Sequence, residues 1–132
     1  MDRLMGKHNL YAITGIDYNE MCDLSRHGIK TFELCSADHA VIGKKLKKGD
    51  LVFVTNLSKA DMRRGVAGLM GKVKDIKQDY WRTVPREFDE NELFTTRIQI
   101  EYVDEARVKN AKDLGHGCGM QADVETHVLV LG

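Results

Sequence analysis

No stretch of the sequence reaches the run of about 18 apolar residues that a membrane-spanning helix needs, which argues against a transmembrane chain. Cysteine is scarce. Cys22, Cys35 and Cys118 are an odd number at wide spacing, so no disulfide framework is expected, and free thiols of a reducing compartment are. The opening MDRLMGKHNLYAIT lacks the basic stretch, apolar run and small-residue cleavage site of a secretory signal, and a cytoplasmic protein is expected. Net charge is also absent, because 20 basic groups balance 20 acidic ones. Nothing global therefore draws the chain to a polyanion in the way an isoelectric point above about 9 would.

The composition that remains, 42% hydrophobic and 30% charged over 132 residues, is neither disordered nor membranous and suffices for one core in a single domain, residues 1–132. The charge is unevenly placed. Residues 44–86 carry 12 of the 20 basic groups, whereas the last third of the chain is acidic. Such a block forms either a phosphate-facing surface or a solvated face neutralised by the acidic third.

Residues 10–14 are a short β-branched apolar run ending at Gly15 and read as a buried strand. Asp17 is placed as an N-cap with Glu20 three residues on, and Gly28 supplies the stop, which predicts a helix of about ten residues. Residues 29–34 alternate as a half-buried extended segment with Phe32 pointing inward. Ser36 caps a second short helix carrying Ala40, Val41 and Leu46, with a weak point at Gly43. After the turn at Lys48-Gly49-Asp50 come strands at 51–54 and 64–73, expected to pair antiparallel. Gly65, Gly68 and Gly71 suit the tight bends of a small barrel; a phosphate loop is discounted because no Lys-Ser or Lys-Thr follows. Residues 78–93 read as a long polar loop, 94–103 as a strand, 109–114 as a helical turn and 128–131 as a terminal strand. Five or six strands against two or three short helices, with no repeat and no βαβ alternation, predict the α+β class and a mixed β-barrel.

Several segments carry a resemblance. His8-Asn9-Leu10-Tyr11-Ala12-Ile13-Thr14, Arg26-His27-Gly28-Ile29-Lys30-Thr31-Phe32, Leu46-Lys47-Lys48-Gly49-Asp50-Leu51-Val52-Phe53-Val54, Arg64-Gly65-Val66-Ala67-Gly68 with Gly71-Lys72-Val73, and Leu93-Phe94-Thr95-Thr96-Arg97-Ile98 follow the order of the EVE domain, a member of the PUA-like β-barrel group. The chain departs from that pattern at Leu10 or Tyr11 and at Lys30, where the family carries tryptophan, and at Thr95, where it carries proline. The resemblance implies a nucleic-acid-binding domain with a cavity for a modified base, which would be extruded, stacked and hydrogen-bonded along its edge.

Trp81 and Arg82, flanked by Tyr80 and Arg86, combine ring faces with charge and are candidates for stacking and phosphate contact; the alternative is a Trp that seals the barrel end. Arg64 joins them if the loops before and after the glycine-bearing strand share one barrel mouth. Tyr11 and Phe32 are pocket candidates that also fit a core, and Asn56 fits a base edge or a turn. His8, His116, Cys118 and His127 lack the paired spacing of structural zinc, so no metal is expected, and no cofactor either. Thiol and imidazole pairs, Cys118 with His116 or Cys35 with His39, come with no oxyanion-hole motif. Asp89, Glu90 and Glu92 read as a solvated acidic loop. The expected function is a non-catalytic module with a pocket for a base or nucleotide of RNA or DNA. The alternatives are a small enzyme acting on a nucleotide-like metabolite through Cys118 or His116, and a plain oligomerising interaction domain.

Overall fold

Local chemistry sets the helix ends. In the computed structural model, which describes residues 6–34, 36–82, 92–115 and 119–126, Asp17 accepts a hydrogen bond from Asn19 N and opens α1 (Tyr18–His27), and Gly28 closes it at φ 83° in the left-handed region that a side chain disfavours. Ser36 accepts from His39 N and opens α2 (Ala37–Lys45). Six strands make one sheet: β1 (Gly6–Ile13), β2 (Ile29–Leu34), β3 (Leu51–Val54), β4 (Ala67–Arg82), β5 (Glu92–Asp113) and β6 (Met120–Thr126).

The sheet runs β2-β5-β4-β3-β1-β6, and β6 pairs again with β5. Five strands thereby close a ring of hydrogen bonds to which β2 is attached from outside. The class is mixed α+β, and the ring is compatible with the small barrel expected. β1 and β3 run parallel, as in Ala12 opposite Phe53, and β3 with β4 is the antiparallel pair that the sequence predicts.

Period-2 alternation sorts the side chains between two cores. Leu10, Ala12, Phe53, Met70, Ala106, Val108, Ala122 and Val124 pack together inside the ring. Their chain neighbours Ile13, Val52, Val54 and Leu69 point the other way and form a second cluster with Val73 of β4, Met21 and Leu24 of α1, Ile42 of α2, and Phe32, Ile98 and Ile100. The helices therefore cover the outer face of the sheet. Burying each large side chain in either cluster stabilises by about 1.5–3 kcal/mol, before the entropy cost of ordering it.

Two elements differ from the sequence prediction. Residues 78–93 are not one loop: β4 continues to Arg82 and β5 begins at Glu92, with Tyr80 opposite Phe94, Trp81 opposite Leu93 and Arg82 opposite Glu92. Cross-strand pairing holds these polar residues extended although their pattern is aperiodic. Residues 109–114 are no helical turn, because β5 runs to Asp113 and pairs with β6, Val108 opposite Val124 and Ala111 opposite Ala122. β6 itself was not anticipated, and the strand expected at 128–131 lies outside the described residues.

The weak point at Gly43 has a tertiary cause. A Cβ there would lie 2.8 Å from Gln78 Nε2 and 2.8 Å from Thr96 Cγ2. Gln78 is fixed by donating to Ala40 O at 2.8 Å and to Thr96 Oγ1 at 3.1 Å, so it pins α2 to the sheet. Gly43→Ala should therefore lower the melting temperature, although alanine is favoured over glycine in a helix by about 1 kcal/mol. A rise in melting temperature would mean that helix propensity outweighs the close approach.

Candidate binding groove

β5 has one neighbour on one edge, β4, which pairs with it from Glu92 to Arg107, and two on its other edge. β2 pairs with residues up to Glu101 and β6 from Ala106 onward. Between them the edge is open. A register shift falls in this gap, with Gly71 opposite Tyr102 and Met70 opposite Asp104. There the local ladder is replaced by other bonds: Tyr102 N donates to Gly28 O at 2.7 Å and Glu105 N to Asp104 Oδ1 at 2.8 Å. α1 lies alongside, and a groove of about 430 Å³ results, a size suited to a small organic ligand.

Ring stagger explains which strands meet there. From Gly68 the pairings lead through Ala106 to Thr126, whereas from nearby Gly71 they lead through Val52 and Tyr11 to Gln121 on the same strand. The strands are thus strongly sheared, as closure of a small ring demands, and the far end of β6 is brought beside the start of β4.

The groove has an apolar floor, Met21 and Leu69, and a polar rim. Tyr18, 64% exposed on the first turn of α1, stands at one side. Asn56, Glu105 and Arg107 are exposed, and none of their side chains has a hydrogen bond or ion pair among the described residues. Glu125 is engaged with Lys109 at 3.2 Å. Burial raises the pKa of the neighbouring Tyr102 phenol, and the carboxylates of Glu105 and Asp104 add to the rise, so the phenol stays protonated at neutral pH. Glu105 and Arg107 share a strand face two residues apart, which presents an acceptor and a donor fork side by side.

Of the ligand-binding candidates read from the sequence, Asn56 alone lines this groove among the described residues. Phe32 is 1% exposed in the helix-side core, where the alternation of β2 puts it. Tyr11 packs against that core with Lys45 Nζ 5.6 Å from its ring centroid. Arg64 lies just before β4 and Arg82 at its end, so a strand of 16 residues, roughly 50 Å when extended, separates them and they do not frame one mouth. Trp81 lies on β4 rather than in a loop, and Arg86 lies outside the described residues, as do Cys35, His116, Cys118 and His127. Sequence reasoning missed Tyr18, Glu105 and Arg107. The signal available was the interrupted alternation of 101–107, legible only once β5 has two different partners.

A second hollow, about 390 Å³, is lined by His8, Asn9, Lys109, Asp123 and Val124. Its polar groups are largely committed, Asn9 Nδ2 donating to Asp123 Oδ1 at 2.7 Å and Lys109 pairing with Glu125. Among the described residues no group of three or more His, Cys, Asp or Glu is placed to hold a metal ion, and no helix is long and apolar enough to cross a membrane.

A family model described as "Protein of unknown function (DUF473)" matches residues 8–122. "Uncharacterized protein MJ0105" of Methanocaldococcus jannaschii is 33% identical over 105 residues, covering 77% of this chain and 66% of that relative, just under two thirds of its length. No solved structure matches the chain. These matches overturn the EVE resemblance, and the structure shows what misled it. The Lys-Lys-Gly-Asp segment is a local turn in which Asp50 Oδ2 accepts from Lys47 N at 2.8 Å and Gly49 takes φ 94°. Arg-His-Gly is the left-handed cap of α1. Both are turn chemistry that any fold can use.

A separate polar cluster joins the 3₁₀ turn at Lys59–Asp61 to α2 and to the end of β5. Lys59 Nζ meets Asp113 Oδ1 at 2.8 Å, Gly115 O at 2.9 Å and Asp38 Oδ2 at 3.2 Å. The hydrogen bond to Asp113 holds the ammonium pKa above its ordinary value, with burial opposing and Asp38 assisting. Next to Asp38, burial pushes the His39 imidazole below the usual 6.5 and outweighs the Asp38 charge and a backbone hydrogen bond to Thr14. The unfolded chain then takes up a proton near pH 6.5 that the folded chain resists, so this contribution to stability is full above 6.5 and is lost as pH falls toward the lower folded value. Melting curves at pH 7.5 and 5.5 should show a larger loss for the wild type than for His39→Asn. Equal losses would remove His39 as the cause.

Proposed function

Since the chain belongs to the DUF473 family, described as of unknown function, we propose from the groove's own chemistry that it is a binding module for a purine base of the guanine type, free or within a nucleotide or nucleic acid. The observation that carries this reading is the side-by-side, uncommitted pair of Glu105 and Arg107 over an apolar floor. A guanidinium is planar and donates in a fork that matches the O6 and N7 acceptors of guanine, and a carboxylate accepts from an amino group. Guanine carries both kinds of edge on one flat ring, so a single base can answer both groups. Met21 and Leu69 offer apolar surface to the ring, Tyr18 offers a face for stacking, and Asn56 supplies one further donor and acceptor.

The neutral overall charge agrees with recognition of one base rather than of a long duplex, which draws its affinity from many phosphate contacts. Adenine lacks the O6 acceptor and would leave part of the Arg107 fork unpaired, and an unpaired polar group in a binding site costs affinity. Selectivity for guanine over adenine follows from this pair alone.

Guanosine at about 100 times its dissociation constant should stabilise the protein by about 2.7 kcal/mol, a rise of several degrees in melting temperature, and adenosine should give less. Arg107→Ala and Glu105→Gln should each weaken guanosine binding by about tenfold or more, since a good bidentate contact contributes about 1–3 kcal/mol of discrimination. Equal shifts from all four nucleosides would remove the base-edge reading, and no shift from any would remove the groove as a base site.

A further inference from the structure

We propose that the lysine-rich face formed by the end of α2, the turn after it and the middle of β4 binds the sugar–phosphate backbone of a nucleic acid, independently of the groove. Lys45, Lys47, Lys48, Lys74 and Lys77 are all exposed there, and Lys72 is half-buried beside them. The fold brings these two stretches of sequence together: Gly49 N donates to Val73 O at 2.7 Å, Val73 N donates to Asp50 O at 2.8 Å, and Leu51 pairs with Lys72. A register shift between Val73 and Asp75 leaves Lys74 out of the ladder.

The acidic groups within these stretches are already used. Asp50 accepts from Lys47 N and closes the turn, and Asp75 accepts from Ile76 N and pairs with Lys48 at 3.4 Å. Lys47, Lys74 and Lys77 have no ion pair among the described residues, and Lys45 has only the ring of Tyr11. Like charges on neighbouring strands and turns repel one another, and an extended anion relieves that repulsion.

The composition of the face selects the anion. The large hydrophobic side chains that are exposed among the described residues are Tyr18 and Ile29, and neither is on it, so it has no apolar wedge for a membrane and no apolar centre for a protein interface. The cations of these two stretches are all lysine, compact charges without the fixed fork of arginine, which suits sequence-independent contact with phosphates. A neutral protein with one such face would bind weakly and with strong salt dependence.

The test measures binding of a fluorescent single-stranded oligonucleotide by anisotropy across a salt series, for the wild type, for Lys47→Gln/Lys74→Gln and for Arg26→Gln/Lys112→Gln, which removes the same charge from exposed positions outside the face. Loss of two contacts should flatten the slope of log affinity against log salt by about 1.4, from about 0.7 per contact on a single strand, with melting temperature unchanged and the control pair close to wild type. Equal weakening by both pairs, or tighter binding to phosphatidylserine vesicles than to the oligonucleotide, would overturn the proposal. Guanosine binding should be unaffected by Lys47→Gln/Lys74→Gln and oligonucleotide salt dependence by Arg107→Ala, which separates failure of this inference from failure of the groove.

Discussion

The divided edge of β5 is the constraint on which the rest of the structure depends. A strand of 22 residues exposes backbone donors and acceptors on both sides, and buried ones must be paired. β4 satisfies one side as far as Arg107, while β2 and β6 share the other and stop short of each other. The part paired with β6 belongs to the closed ring, and the part paired with β2 belongs to the open extension under α2. The register shift at residues 102–104 lets one strand serve both. The groove lies where the gap meets the end of β6, with Glu125 and Thr126 in its lining, and α1 is tied beside it because Gly28, the cap of that helix, accepts a hydrogen bond from Tyr102 N at the other end of the gap.

Charge is distributed in a way that the neutral total conceals. Asp104 and Glu105 adjoin on β5 at the groove, Glu101 stands opposite Lys72, and the lysines gather about the turn at 47–50 and the strand onto which it bonds. Arg107 stands in the acidic region without a partner of its own among the described residues. Under the proposed function the groove would meet a base by hydrogen-bond pattern and the lysine face would meet phosphate by charge, a division of labour in which only the first carries selectivity.

Glycine marks the close approaches. At Gly68 a Cβ would meet the carbonyl of Val54 and the ring of Phe53, so the ring interior closes only because that residue has no side chain. At Gly43 the same economy brings α2 onto Gln78. Both residues weaken their elements by propensity, and both stand where the packing leaves no room for a side chain.

The sequence by itself determined the elements whose signals are local. α1 was legible from Asp17 and Gly28, α2 from Ser36, the turn at 48–50 from Gly and Asp, and the β2 and β3 strands from alternation and β-branching, because a cap or a turn is built from neighbours in the chain. The antiparallel pairing of β3 with β4 was legible for the same reason. Tertiary structure alone decided that 78–82 and 109–113 are strand, since their extended form comes from partners on β5 and β6 rather than from their own pattern. It also decided the site. Glu105 and Arg107 are ordinary charged residues in the sequence, and they become a candidate binding pair only because β6 starts to pair with β5 between them, at Ala106, beside the residues that β2 and β6 leave uncovered.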